Sequence, residues 1–348
     1  MPRSLPFLFL VTSACGALEM PVAPDASSSK DASPTCAAET DAAFCARLGA
    51  TCEDETAADN CGTMRTASCG TCGGTDACVA NVCKAPVCSS FAFPNQTLAT
   101  ALNDTGKQDA VTGVTPDGKT ILSQRGQSCG NFRLILSDTS GLVTTNHDLT
   151  GNAELSAMQI ASEGTLALTA DGLTIIGTSA DGTALLASHR AALGSATFSA
   201  ATGTDFTNLA VVAPRRIDFP VISSDDLALY YRITGDADPS VDGLYESVRT
   251  STSVPFPAGT RMSNLVSSFG AVTGISTDRM TLFLQTNSFS TVALTRRSLV
   301  QPFTNPNMPA PPPVVPGFRT RPLGDCNSLV ATCTPGGCAG EEVCVFTK

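Results

Sequence analysis

VTPDGKTIL at 114–122, LTADGLTII at 168–176, ISSDDLALY at 222–230, ISTDRMTLF at 275–283 and PLGDCNSLV at 322–330 are five copies of one phrase. Each has an apolar residue three places before an aspartate and an apolar pair four and five places after it. The aspartates, Asp117, Asp171, Asp225, Asp278 and Asp325, stand 54, 54, 53 and 47 residues apart. So steady a period marks one supersecondary unit copied along the chain. The phrase reads as strand, tight turn, strand. The aspartate carboxylate can accept hydrogen bonds from its own turn, and Gly118 and Gly172 accommodate positive φ. In several copies a further strand ends in arginine: ALLASHR at Arg190, GLYESVR at Arg249, STVALTRR at Arg296 and Arg297. Each copy therefore supplies at least three short antiparallel strands that cannot bury both faces alone, and radial stacking covers them.

The Ser-x-Asp-Gly, strand, loop, strand-Arg order resembles the repeats of TolB-type (PD40/WD40-like) β-propellers, in which each repeat is one four-stranded blade. The resemblance covers about residues 90–348; Arg279 and Cys326 stand where copies four and five lose the glycine. It implies an all-β fold with a β-propeller over residues 89–348. Five copies give five blades, or six if Ser89–Lys107 completes a degenerate one. The other use of that segment is as an outer strand of the last blade, closing the ring. A β-sandwich with incidental Asp-Gly turns would not space its turns so evenly. Strands do not alternate with amphipathic helices, which argues against Rossmann and βα-barrel enzymes.

Ahead of the repeats, MPRSLPFLFLVTSAC joins Arg3, an apolar stretch and small residues before Cys15. Residues 1–14 read as a signal peptide. The Thr-Ser-Ala-Cys end resembles a bacterial lipobox, with Thr12 where leucine is usual. This implies lipidation of Cys15, a membrane attachment through that lipid, and a location as an outer-membrane lipoprotein or a secreted protein. Residues 15–35, rich in Pro, Ala, Ser and Asp, form a flexible tether. No later run reaches the length of apolar sequence that spans a bilayer.

Residues 36–88 carry nine cysteines, Cys36, Cys45, Cys52, Cys61, Cys69, Cys72, Cys78, Cys83 and Cys88, with few large apolar residues. So small a segment needs covalent staples. Cys69, Cys72, Cys78 and Cys83 have a spacing zinc could use, but export, cysteine density and the lack of histidine favour disulfides. Its strings, among them ETDAAFCARLGATC and DNCGTMRTASCGTC, resemble a cysteine-rich module of secreted bacterial proteins. Eight of these cysteines suffice for four bridges, leaving Cys88 to pair with Cys129 by counting. Cys326, Cys333, Cys338 and Cys344 would then form two local bridges in the last repeat.

Chemistry is sparse. Of 348 residues, 21 are Lys or Arg and 31 Asp or Glu, a net charge of −10, which excludes a basic nucleic-acid binder. His147 and His189 lack a G-x-S-x-G elbow and read as loop and strand-end residues. Asp236, Asp238 and Asp242 alternate as calcium ligands do, but Val241 occupies the glycine place of an EF-hand loop, and the stretch reads as a hairpin loop. No other cofactor is indicated. Trp is absent, and Tyr230, Tyr231 and Tyr245 fall in one repeat, which argues against one sugar platform per blade. The run NPNMPAPPPVVPG at 305–317 reads as an extended connection. The expected function is a non-enzymatic binding or scaffold protein of the cell envelope, offering a propeller face to a protein or envelope component. The alternative is an extracellular hydrolase or glycan binder, whose mark would be carboxylates clustered at the ring centre.

Overall fold

A computed structural model describes residues 36–74, 76–103, 108–126, 132–140, 143–160, 165–235, 240–265, 269–288, 290–305, 313–315, 317–333 and 342–348. The leader, Cys15, Cys129, Cys338, Asp236, Asp238 and residues 306–312 lie outside them. The repeats fold as five radial antiparallel sheets. Blade one holds Gln108–Val114, Thr120–Gly126, Phe132–Ser140 and Val143–Asp148; blade three runs from Arg216–Ile222 to Thr260–Arg261. Blade four takes Val314–Val315 as its outermost strand, so part of the proline-rich run completes a sheet rather than bridging two. Blade two has three strands, Leu166–Leu168, Thr174–Thr178 and Leu185–His189, and its fourth place is held by single bridges, Ala187 with Thr202 and Arg190 with Phe198.

Apolar residues pack between blades. Leu122, Leu134, Leu166 and Ile175 join blades one and two; Ile176, Ile217, Leu229 and Tyr231 join two and three. Val221, Tyr230, Leu282 and Leu284 join three and four, Phe283, Ala293, Leu329 and Phe346 four and five, and Val330, Val343, Val111 and Ile121 five and one. Each sheet thus buries both faces against its neighbours, which is what amphipathic strands too short for a sandwich require.

The ring is closed by the start of the domain. Asn95–Leu98 pairs antiparallel with Glu342–Thr347, setting Asn95 opposite Thr347 and Leu98 opposite Cys344. The segment before the first repeat is therefore the fourth strand of blade five, and the blade number is five. A repeated contact gives the same register. Arg249 sits 4.3 Å over the Phe256 ring in blade three, and Arg296 4.4 Å over Phe303 in blade four. In blade five Lys348 takes the arginine place and lies 5.6 Å over Phe93, contributed from the N-terminal side.

A disulfide fixes this closure: Cys88 is bonded to Cys326 across 238 residues. The expected Cys88–Cys129 bridge is thus corrected, and so is the second local bridge of the last blade. Only Cys333–Cys344 is local, tying the two strands of one hairpin. Counting along the chain failed because the outer strand of blade five comes from its N-terminal side, which brings Cys88 to the turn carrying Cys326.

The cysteine-rich segment is closed on itself by Cys36–Cys61, Cys45–Cys69, Cys52–Cys78 and Cys72–Cys83. Its helix, Asp41–Leu48, begins at Thr40, whose hydroxyl accepts from the Ala43 N–H, and ends at Gly49 with φ of 71°. Phe44 of that helix is fully buried, with Arg47 and Arg65 over its ring. The segment docks on blade four: the Cys78 N–H donates to the Arg297 carbonyl at 2.6 Å, and the Val87 N–H to Asp278 Oδ2 at 2.7 Å.

Replacing Cys88 and Cys326 together by serine is expected to lower unfolding stability by about 2–5 kcal/mol, because the bond closes a very long loop of the unfolded chain. Denaturant titration measures this, and limited proteolysis should cut first near residues 89–98. An unchanged midpoint would show that the strand pairing alone holds the ring.

Candidate functional site

The aspartates that define the repeat act as turn builders. Asp117 Oδ1 accepts from the Thr115 hydroxyl at 2.7 Å and from the Lys119 N–H at 3.1 Å, and Thr115 Oγ1 accepts from the Thr120 N–H at 3.0 Å. The same three bonds recur with Thr169 and Asp171, Ser223 and Asp225, and Ser276 and Asp278. Asp325 lacks the hydroxyl bond, since Leu323 replaces that residue, and accepts instead from the Asn327 N–H and the Asn327 side-chain amide. The residue after each aspartate has positive φ: Gly118 and Gly172, but also Asp226 at 56°, Arg279 at 59° and Cys326 at 53°. Copy three therefore lacks the glycine too. The side-chain lattice holds a left-handed residue there even without it.

The strand-end arginines brace these turns. Arg190, Arg249 and Arg296 donate Nε–H to the carbonyls of Gly172, Asp226 and Arg279, each the left-handed residue of its own blade. Two of them reach the preceding blade. Arg190, fully buried, forms a bidentate pair with Asp138 at 2.6 and 2.8 Å, and Arg296 meets Glu246 at 3.1 Å and the Tyr230 hydroxyl at 3.2 Å. The turns also hold one another. The Ser224 hydroxyl donates to the Thr277 carbonyl, the Thr277 hydroxyl to the Gly324 carbonyl, and the Gly324 N–H to the Pro116 carbonyl. Blades three, four, five and one are thereby linked across one end of the axis.

On the axis itself, four places before each turn aspartate, stand Gly113, Ala167, Val221, Gly274 and Arg321. With their neighbours they line a cavity of about 50 Å³. The strands approach so closely that a Cβ on Gly113 would lie 2.7 Å from Leu168 Cβ, and one on Gly274 2.7 Å from Pro322 Cδ. The one long side chain is Arg321, which donates to the Thr112 carbonyl at 2.7 Å. This axial arginine went unread in the sequence, although aligning the five copies column by column sets it among small residues. These five positions hold none of the carboxylates that the hydrolase reading needs at the ring centre.

The cysteine-rich segment sits at the turn end, and the opposite end bears a groove between blades three and four. A cavity of about 270 Å³ is lined by Arg232, Asp242, Arg261, Leu265, Phe269 and Asn287. A second, of about 200 Å³, shares Arg232 and Asn287 and extends to Phe219. Arg232 is fixed by a bidentate pair with Asp218 at 2.8 and 2.9 Å, by the Gly270 carbonyl at 2.7 Å and by the Phe219 ring at 4.5 Å. Arg261 donates twice to the Asp242 carbonyl. The groove thus combines fixed polar groups, Arg232 paired with Asp218 and Arg261 beside Asp242, with the apolar Leu265 and Phe269.

Other sequence candidates fall away from it. Asp242 accepts from the Gly235 N–H at 3.2 Å, a bond across the base of the hairpin, while its companions Asp236 and Asp238 lie outside the described residues. The sulfurs of Cys52, Cys72 and Cys83 lie within 4.8 Å of one another, but each is spent in a disulfide and none can offer zinc a thiolate. Tyr230 and Tyr231 are buried between blades, and Tyr245 stacks on Tyr231 at 5.6 Å, so they pack and are not a sugar platform. His147 Nε2 is 3.7 Å from Asp138, and His189 Nδ1 3.1 Å from the Thr174 hydroxyl.

No protein-family model matches the chain, and no curated protein does. Solved propellers do. TolB from Acinetobacter baumannii is similar at 11% identity and a TM-score of 0.40, over 86% of this chain and 61% of that one. The similarity extends to WD40 propellers. The Cps50 (Swd1) propeller domain of Myceliophteria thermophila matches at 10% identity and a TM-score of 0.33, over 68% of this chain and 82% of that one. An oligogalacturonate lyase in complex with manganese matches at 12% and 0.37, over 74% and 98%. The chain spans less than two thirds of the TolB structure's length. Likeness at this level speaks to fold alone.

One acid at the turn end is out of balance. Asp226 follows Asp225 in the blade-three turn, and its Oδ1 is buried with no donor. Burial, and secondly the charge of Asp171, push it up to about 6. A carboxyl raised in the folded state stabilises the fold only while protonated, so its contribution is lost as pH climbs from about 4 through 6. Asp226→Asn is therefore expected to be more stable than wild type by about 1–3 kcal/mol at pH 7 and equal to it near pH 4. Thermal unfolding across that range checks the sign.

Proposed function

We propose that the protein is an exported, lipid-anchored binding or scaffold protein of a bacterial envelope, which presents the groove end of its propeller to a protein or envelope partner. The observation that supports this best is the filled axis. Its strands are in contact, its turn end is laced by hydrogen bonds, and its cavity of about 50 Å³ falls far below the usual volume of a ligand pocket. A ring whose axis is too narrow for a drug-sized ligand works through its faces.

The orientation follows from the attachments. The cysteine-rich segment covers part of the turn end beside blade four, and the chain leads from Cys36 back to the tether and to Cys15. The groove end is left to meet a partner. Its pairing of Arg232, Arg261 and Asp242 with Leu265 and Phe269 suits a polar segment with an apolar anchor. The six disulfides among the described residues fit an oxidising space, periplasmic or extracellular, where such bonds persist.

A photo-crosslinking residue at Asn287, in the groove, is expected to capture an envelope component in intact cells. The same residue at Leu193, exposed near the blade-two turn, should not. Equal capture from both sites would remove the groove from the interaction. Labelled palmitate is expected to enter the wild-type protein and not Cys15→Ser; soluble, unlabelled wild-type protein would refute the anchor.

A further inference from the structure

We propose that the propeller axis is an anion site, in which Arg321 holds one small inorganic anion of chloride size between the innermost strands of blades one and five.

The argument begins with an unbalanced charge. Arg321 has five N–H donors, and one interaction is seen, the bond to the Thr112 carbonyl. Its Nε is buried and has no acceptor. Among the described residues no carboxylate pairs with it. The acids of the described innermost strands are already taken, Asp109 by Arg125 at 2.6 Å and Asp218 by Arg232 at 2.8 Å. Arg319, two residues away on the same strand, is itself buried and adds a second cation to the neighbourhood of the half-buried Arg321. Burial, and then the charge of Arg319, bring the Arg321 guanidinium down to about 9, so it still carries its proton at neutral pH. A guanidinium half-buried among Ala167, Leu168, Val221 and Ile275, with its Nε shut off from solvent and unpaired, favours a counter-charge beside it.

Space sets the size of that counter-charge. The cavity of about 50 Å³ holds a monatomic anion or a few waters but neither a sugar nor a nucleotide. Gly113 and Gly274 let the innermost strands approach closely around that volume, since a Cβ on either would strike the strand of a neighbouring blade. The turns of blades three, four, five and one are joined around the rim of this end by the bonds linking Ser224, Thr277, Gly324 and Pro116.

The test uses the intact mature protein with chloride, bromide or gluconate as the only anion at one ionic strength. Because a ligand bound only by the folded state raises its melting point, the wild type is expected to melt about 2–4 °C higher in chloride or bromide than in bulky gluconate. Arg321→Met should lose that difference and Arg321→Lys keep part of it. Should Arg321→Met not fold, wild-type crystals soaked in bromide supply the second measurement, an anomalous peak within hydrogen-bond reach of the Arg321 guanidinium. Equal melting of the wild type in all three salts, the same halide effect in Arg321→Met, or no bromide at Arg321 would each overturn the site.

Discussion

A ring of sheets depends on the bond between its first and last members, because every other contact in it is local. Here that bond is the antiparallel pairing of Asn95–Leu98 with Glu342–Thr347. The four pairs between successive blades form along a continuous chain. The fifth must be made across the whole domain, at the full cost of closing a long loop. The Cys88–Cys326 bridge and the Lys348–Phe93 contact lie in the same blade, where that cost falls. Without closure, the strands bearing Val330 and Val111 would each expose one apolar face, and the axis would have no fifth wall.

Inside the closed ring one lattice recurs. A hydroxyl residue and an aspartate shape the turn, a left-handed residue completes it, and the arginine at the end of the third strand donates to that residue's carbonyl. The arginine then reaches backwards, so the geometry of one turn is coupled to the strand of the blade before it. Arg190 with Asp138 and Arg296 with Glu246 show two such links. This explains why the turn tolerates Asp226 and Arg279 where glycine would be easiest. The surrounding bonds over-determine the backbone, and the strain is carried by the lattice rather than relieved in it.

Much of the architecture was legible in the primary structure, and the failures share a cause. The five aspartates, their spacing and the strand-end arginines marked the blades because a repeated unit repeats its bonds. The four bridges within the cysteine-rich segment could be expected from eight cysteines in a stretch without a core. Cys88 was misassigned because nearness in sequence says little about a domain whose N-terminal strand completes its C-terminal sheet. The third copy hid its missing glycine behind Asp226. Arg321 escaped notice because attention rested on recurring residues, whereas its importance lies in departing from the column of Gly113, Ala167, Val221 and Gly274. The groove joins residues from Arg232 to Asn287 on two blades, an adjacency that no single motif records.

The long Cys88–Cys326 span also sets a timetable. As the chain is made from its N-terminus, the cysteines of the Cys36–Cys83 segment have partners only 11 to 26 residues away. Cys88 emerges next, and 238 residues must follow before its partner arrives. Within that interval Cys129 also appears, nearer in sequence than Cys326. The order of synthesis alone therefore does not select the native bond; the pairing of Asn95–Leu98 with Glu342–Thr347 does, by carrying Cys88 to the turn that holds Cys326.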